Sequence, residues 1–222
     1  MVTVLSFDGE TLPLSSALAL PYPADERTPP SNYGPEAREK WREKDRQAWE
    51  QDRIKQYSLS PLYGRLCAIG LAWEDATGEE CQRTILARTE AEEPDLLREF
   101  WETAEGADCL VSWNGFSFDI PFLLIRSMIH DIAIPFEGRE LTRRYSVHPH
   151  YDVKQVITGW DTRGKGSLDE YLAAFGMDGK VRHGSEVYGM AQRGEWQAIG
   201  EYAADDAAKT LALYYRVSRV FG

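Results

Sequence analysis

The chain has 222 residues, 43% of them hydrophobic and 12% aromatic, proportions of a folded globular domain with a substantial core. Its 25 basic and 36 acidic residues leave a net charge of −11, which argues against a partner held by bulk attraction to phosphate and leaves room only for a local basic groove. No apolar run approaches a membrane span and no signal-like leader opens the chain, so a soluble cytoplasmic protein with no membrane partner is expected.

Residues 2–11 (Val-Thr-Val-Leu-Ser-Phe-Asp-Gly-Glu-Thr) read as a strand. Side chains alternate faces along a strand, so Asp8 and Glu10 share one side and Gly9 takes the other. Two such carboxylates repel unless a cation sits between them or one keeps its proton. An isolated Asp-x-Glu is more commonly a solvated strand end.

Residues 12–35 carry Pro13, Pro21, Pro23, Pro29, Pro30 and Pro35, through which regular structure is not expected to persist. A charged, helix-forming run over 36–56 follows, with Ala37, Trp41, Ala48 and Trp49 near one face. Together, about 12–57 reads as an insertion in a single domain spanning 1–222. Its helix is a solvated cover for the core or a surface for a protein partner.

Residues 65–73 and 81–87 read as strands joined by a turn at Asp75-Ala76-Thr77-Gly78. A helix begins at Pro94, burying Leu96, Leu97, Phe100 and Trp101, and a buried strand over 109–113 stops at Asn114-Gly115. Asp119 then opens a helix, where capping alone accounts for an Asp as readily as chemistry does. Residues 145–153 read as a strand with Asp152 at its end, and Ser167 starts a helix closed by Gly176. Residues 186–220 are mostly helical; Tyr202 and Asp206, four apart, share a face amid Ala203, Ala204, Ala207 and Ala208, small enough to admit close packing.

Cys67, Cys81 and Cys109 are scattered, and the four histidines lack ligand spacing, so neither disulfides nor a zinc site is indicated. Acidic residues crowd positions 90–108, whereas 139–183 is slightly basic. Arg143, Arg144, Lys165, Lys180, Arg182 and His183 in that half are candidate phosphate contacts. Asn114 and Phe118, in the loop before Asp119, are better placed to meet a bound ligand, by hydrogen bond and stacking.

In order, Asp8-x-Glu10, Asn114-Gly115-x-x-Phe118-Asp119 and Tyr202-x-x-x-Asp206 resemble the DEDD (DnaQ-like) superfamily of 3′-5′ exonucleases, in the subtype with Tyr in its third motif. Ser167-Leu168-Asp169, Gly176, Lys180, Gly184-Ser185-x-Val187 and Thr210-x-x-Leu213-Tyr214 resemble the surroundings of that motif, as in stand-alone exonucleases similar to the proofreading domain of family B polymerases. The resemblance implies a ribonuclease H-like α/β fold with a mixed five-stranded sheet flanked by helices. It also implies that Asp8, Glu10, Asp119 and Asp206 hold two divalent cations, Mg2+ or Mn2+, while Tyr202 orients the attacking water. The expected activity is release of nucleoside 5′-monophosphates from the 3′ end of single-stranded nucleic acid, DNA before RNA. An exoribonuclease of the same fold, a protein-binding scaffold in a repair or replication assembly, and a processor of short oligonucleotides are the alternatives. Gly9 departs from the apolar residue common between the first two carboxylates and is expected to loosen their positioning.

Overall fold

The computed structural model describes residues 2–161, 163–177, 179 and 186–221. Strands β1 (Val2–Pro13), β2 (Gly64–Glu74), β3 (Glu80–Leu86), β4 (Ala107–Ser112) and β5 (His150–Asp152) form one sheet in the order β3-β2-β1-β4-β5. The β1–β2 and β2–β3 pairs are antiparallel, and β1–β4 and β4–β5 are parallel. The sheet is therefore mixed, with β1 at its centre.

The helices are α1 (Ser15–Leu18), α2 (Pro35–Ser58), α3 (Glu93–Glu105), α4 (Asp119–Ile129), α5 (Gly138–Leu141), α6 (Val153–Ile157), α7 (Leu168–Ala174), α8 (Val187–Gln192) and α9 (Trp196–Phe221). Both faces of the sheet are covered. Leu5 and Phe7 of β1 pack with Leu97 and Phe100 of α3 and Ile120 and Leu123 of α4 in the main core cluster. The alternate residues turn to α9, where Ser6 Oγ donates to the Ala207 carbonyl at 2.7 Å. Period two thus assigns Asp8 and Glu10 to the α9 face.

Small residues let α9 come close. A Cβ at Gly70 of β2 would overlap the backbone of Ala203, so only glycine fits at that crossing. Ala203, Ala207 and Ala208 are buried against the sheet, as their size anticipates.

Two sequence expectations need correction. Residues 12–35 are not wholly irregular: β1 runs through Pro13, paired with Gly64, and α1 follows. A proline at a strand end forgoes only one ladder bond. The strand expected over 145–153 shrinks to His150–Asp152, because Tyr145 has φ of 63° and Pro149 lacks an amide proton.

The helix expected over 36–56 forms as α2, with Pro35 at its start. Only Trp49 of its apolar set is buried, while Trp41 is half-buried and Ala37 and Ala48 are exposed. Trp49 meets Tyr22 edge-on, with centroids 5.6 Å apart, and Arg53 lies over its ring. The Tyr22 hydroxyl in turn donates to Asp45 of α2.

Candidate active site

Asp8, Glu10 and Asp206 present carboxylate oxygens that all lie within 4.8 Å of one another. The first two come from β1 and the third from α9, which the Gly70 crossing holds against the sheet. Asp206 is 1% exposed, and Asp8 and Glu10 are half-buried. Three converging carboxylates repel one another, and an oxygen-only shell about 2.0–2.6 Å in radius, as Mg2+ or Ca2+ takes, spans that spacing. By donor chemistry and by spacing the residues fit a hard divalent cation.

Asp119 comes from another direction and is not one of the three carboxylates in that 4.8 Å group. It is the first residue of α4 rather than its cap, since Phe118 holds the N-cap position and no side chain caps this helix. Its pairing shows why it stands there. β4 residues pair with β1 only as far as Ser6, and beyond that edge the Gly9 amide donates to Asp119 Oδ1 at 3.2 Å. A Cβ at Gly9 would lie 3.1 Å from that oxygen and 3.3 Å from Leu66 Cδ2. A side chain at position 9 would need one of these neighbours to give by a few tenths of an ångström, so the glycine expected to loosen the site also relieves a tight contact with Asp119.

Tyr202 sits one turn before Asp206 on α9 and is buried. Burial raises its phenol above the ordinary value, and Glu10, Asp206 and Asp8 raise it further. Its hydroxyl also bonds to Asp206. Tyr202 is therefore a neutral O–H group, suited to orienting a ligand rather than removing its proton.

A family model described as a predicted 3′-5′ exonuclease related to the exonuclease domain of PolB matches residues 56–222. The chain belongs to this exonuclease family. No curated protein matches it. Among solved structures, the family B DNA polymerase of the hyperthermophilic archaeon Pyrobaculum calidifontis is similar over 98% of this chain, with a TM-score of 0.62 and 18% identity. This chain spans 25% of that polymerase, and the likeness is one of fold, the ribonuclease H-like architecture. Asp8 and Glu10 lie before the family match, so the folding of β1 against α9 brings them to Asp206.

In this family member the loop from β4 to α4 is built around Asp152, a residue whose role sequence did not disclose. Its two carboxylate oxygens accept the Asn114 amide at 3.0 Å and the Phe116 amide at 2.9 Å. It also caps α6 through the Gln155 amide. The sequence reading placed Asp152 only at a strand end, and neither its capping of α6 nor its grip on a loop 38 residues away was legible there. Burial raises the Asp152 carboxyl above its usual range, with these amides opposing.

The loop sorts the candidate substrate residues. Asn114, at φ of 62°, lines a cleft of about 110 Å3 with Phe116, Arg144 and Lys154. Phe118, half-buried like Phe116, packs on Phe122 at the edge of the main core. Phe116, passed over in the sequence, is the aromatic side chain at the cleft. Arg143 and Lys165 are exposed and do not line this cleft. Lys180, Arg182 and His183 lie outside the described residues.

Beneath the loop, Ser112 Oγ and His150 Nε2 are 2.7 Å apart, and a Cβ at Gly115 would overlap that hydroxyl. Burial pushes the His150 imidazole down to about 4. Unfolded His titrates near 6.5, so as pH falls below about 6.5 the unfolded chain takes up the proton first and stability drops until the folded value is reached. The loss reaches about 3 kcal/mol. Urea unfolding at pH 7 and 4.5 should show a wild-type loss that exceeds that of His150→Gln by about 2–3 kcal/mol. The raised Asp152 carboxyl works in the opposite sense, favouring the fold toward acid, but it is common to both proteins and cancels in the difference. Equal losses would mean that His150 is hydrated in the native state.

Proposed function

We propose that the chain is a metal-dependent 3′-5′ exonuclease of the DEDD type with Tyr in its third motif, acting on single-stranded DNA. The convergence of Asp8, Glu10 and Asp206, with Asp119 against the Gly9 amide between the first two, carries this reading. The chain is read as one exonuclease domain interrupted by the segment at about 12–57.

Asp8, Glu10, Asp119 and Asp206 would hold two divalent cations, Mg2+ or Mn2+. Bound there, such ions lower the pKa of water and stabilise the oxygens that attack and leave. The raised phenol of Tyr202 keeps its proton, so the residue orients the incoming water by hydrogen bond. In the reaction, water bonds to the phosphorus of the terminal nucleotide and the bond to the preceding 3′ oxygen breaks. That oxygen ends as a hydroxyl on the shortened strand, and a nucleoside 5′-monophosphate departs.

The test compares matched DNA and RNA single strands and identifies the mononucleotide by chromatography. Nucleoside 5′-monophosphates from DNA, released faster than from RNA, are expected; faster release from RNA would reassign the substrate. Tyr202→Phe should cut turnover by about 10²-fold, the size of losing one placed donor at a reacting oxygen. A variant as fast as wild type would remove Tyr202 from the mechanism.

A further inference from the structure

Beside the carboxylates lies an aromatic and cationic surface that neither the ion site nor the core requires. The Phe116 ring meets Trp160 edge-on, with centroids 5.2 Å apart, and Tyr145 packs on Trp160 at 5.5 Å. Arg144 lies over Phe116, 5.7 Å from its centroid. Tyr145 is 73% exposed, far more than packing requires of so large a ring. Both it and Trp160 are in the left-handed region, at φ of 63° and 60°, a backbone state costing bulky residues roughly 1–2 kcal/mol each. The surrounding structure spends stability to hold these rings where they are.

Charge points the same way. Arg144 and Lys154 line the cleft next to Asn114 and Phe116, and among the described residues neither forms an ion pair. Asp161, the acidic side chain at the same cleft, is held by Arg163 at 3.1 Å. Two cations free of ion pairs beside clustered aromatic rings, on a chain of net charge −11, match the backbone and bases of a single strand. The Asn114–Asp119 loop joins the two regions: Asp152 grips it at Asn114 and Phe116, and three residues later Asp119 takes the Gly9 amide.

We propose that Phe116, Tyr145 and Trp160, with Arg144 and Lys154, form a second subsite that holds the strand behind the terminal nucleotide. Bases stack on Tyr145, and a phosphate seats at Arg144 and Lys154. The inference rests on the exonuclease reading for its ligand, single-stranded nucleic acid, but its test does not use turnover. Strand tracking by one short platform would also suit a chain too acidic to follow long polyanions.

The experiment measures binding of fluorescein-labelled oligothymidylate, ten and two nucleotides long, in chelator, across a salt series. Proteins compared are wild type, Tyr145→Ala and the double variant Arg144→Ala/Lys154→Ala, each checked for an unchanged melting temperature. Tyr145→Ala should weaken the decamer by about 5- to 100-fold, the range for removal of one stacking partner. The double variant should weaken it and reduce the slope of log affinity against log salt by about 0.7 for each phosphate no longer neutralised. Both effects should shrink for the dinucleotide. Affinity and salt slope unchanged in both variants would overturn the subsite, as would an equal weakening for both lengths. Wild type that binds the decamer yet releases no nucleotide with Mg2+ or Mn2+ would instead defeat the exonuclease reading and leave the subsite standing.

Discussion

Replacing Asp206 with Asn should lower the rate of single-strand hydrolysis by at least about 10³-fold while leaving the fold intact. Losing a ligand that places charge against the transition state removes several kcal/mol, and about 4 kcal/mol is a thousandfold. Asn keeps the shape and can still accept the Tyr202 hydroxyl, so packing on α9 is spared. Stability carries a second signature. With Asp8, Glu10 and Asp206 gathered within 4.8 Å, removing one negative charge should hold or raise the melting temperature in chelator. A saturating cation should raise that of wild type, since an ion at 100 times its Kd contributes about 2.7 kcal/mol. The variant should respond far less. Activity within tenfold of wild type, or an undiminished thermal response to Mn2+, would remove Asp206 from the ion site.

Arg126→Met should be the costliest single change to the core, at about 3–5 kcal/mol. Glu93, fully buried in the first turn of α3, accepts Arg126 Nε at 3.0 Å and Arg126 Nη2 at 2.5 Å. The same carboxylate takes the Leu66 amide of β2 at 2.8 Å and lies 2.8 Å from His130 Nε2. Arg126 also reaches the Pro61 carbonyl, so one cluster ties α3, α4 and β2 together. Met preserves the stem but leaves a buried carboxylate without its guanidinium. Pairing the change with Glu93→Gln should recover much of the loss, because the cost lies in the uncompensated charge rather than in the pair's net strength. Urea unfolding of both proteins decides it. A single-variant loss below about 1 kcal/mol would mean that water reaches Glu93.

What could be read in the sequence was local. Asp8 and Glu10 share a face because strands have period two, and Tyr202 and Asp206 because helices bring i and i+4 together. Ser167 and Glu170 form the capping box their spacing announces. The small residues around Tyr202 foretold close approach, although their partner at Gly70 lay far off in the chain.

What escaped was non-local or set by the backbone. Glu93 was one of the acidic residues crowding 90–108, and only the packing of α3 on α4 joins it to Arg126. Gly9 read as a weak spot because the sequence does not show that Asp119 arrives opposite it. Phe116 and Phe118 are equivalent in composition. The bend of the loop around Asp152 turns one to the cleft and leaves the other half-buried against the core. The strand read over 145–153 overstated β5, since strand propensity does not reveal a left-handed Tyr145.

The most direct test is digestion of a 5′-labelled single-stranded DNA by the wild-type protein with Mg2+ or Mn2+ and with chelator. The account predicts a ladder that shortens from the 3′ end with either ion and vanishes in chelator. Intact substrate with both ions and a folded protein, or cleavage that persists in chelator, would contradict it.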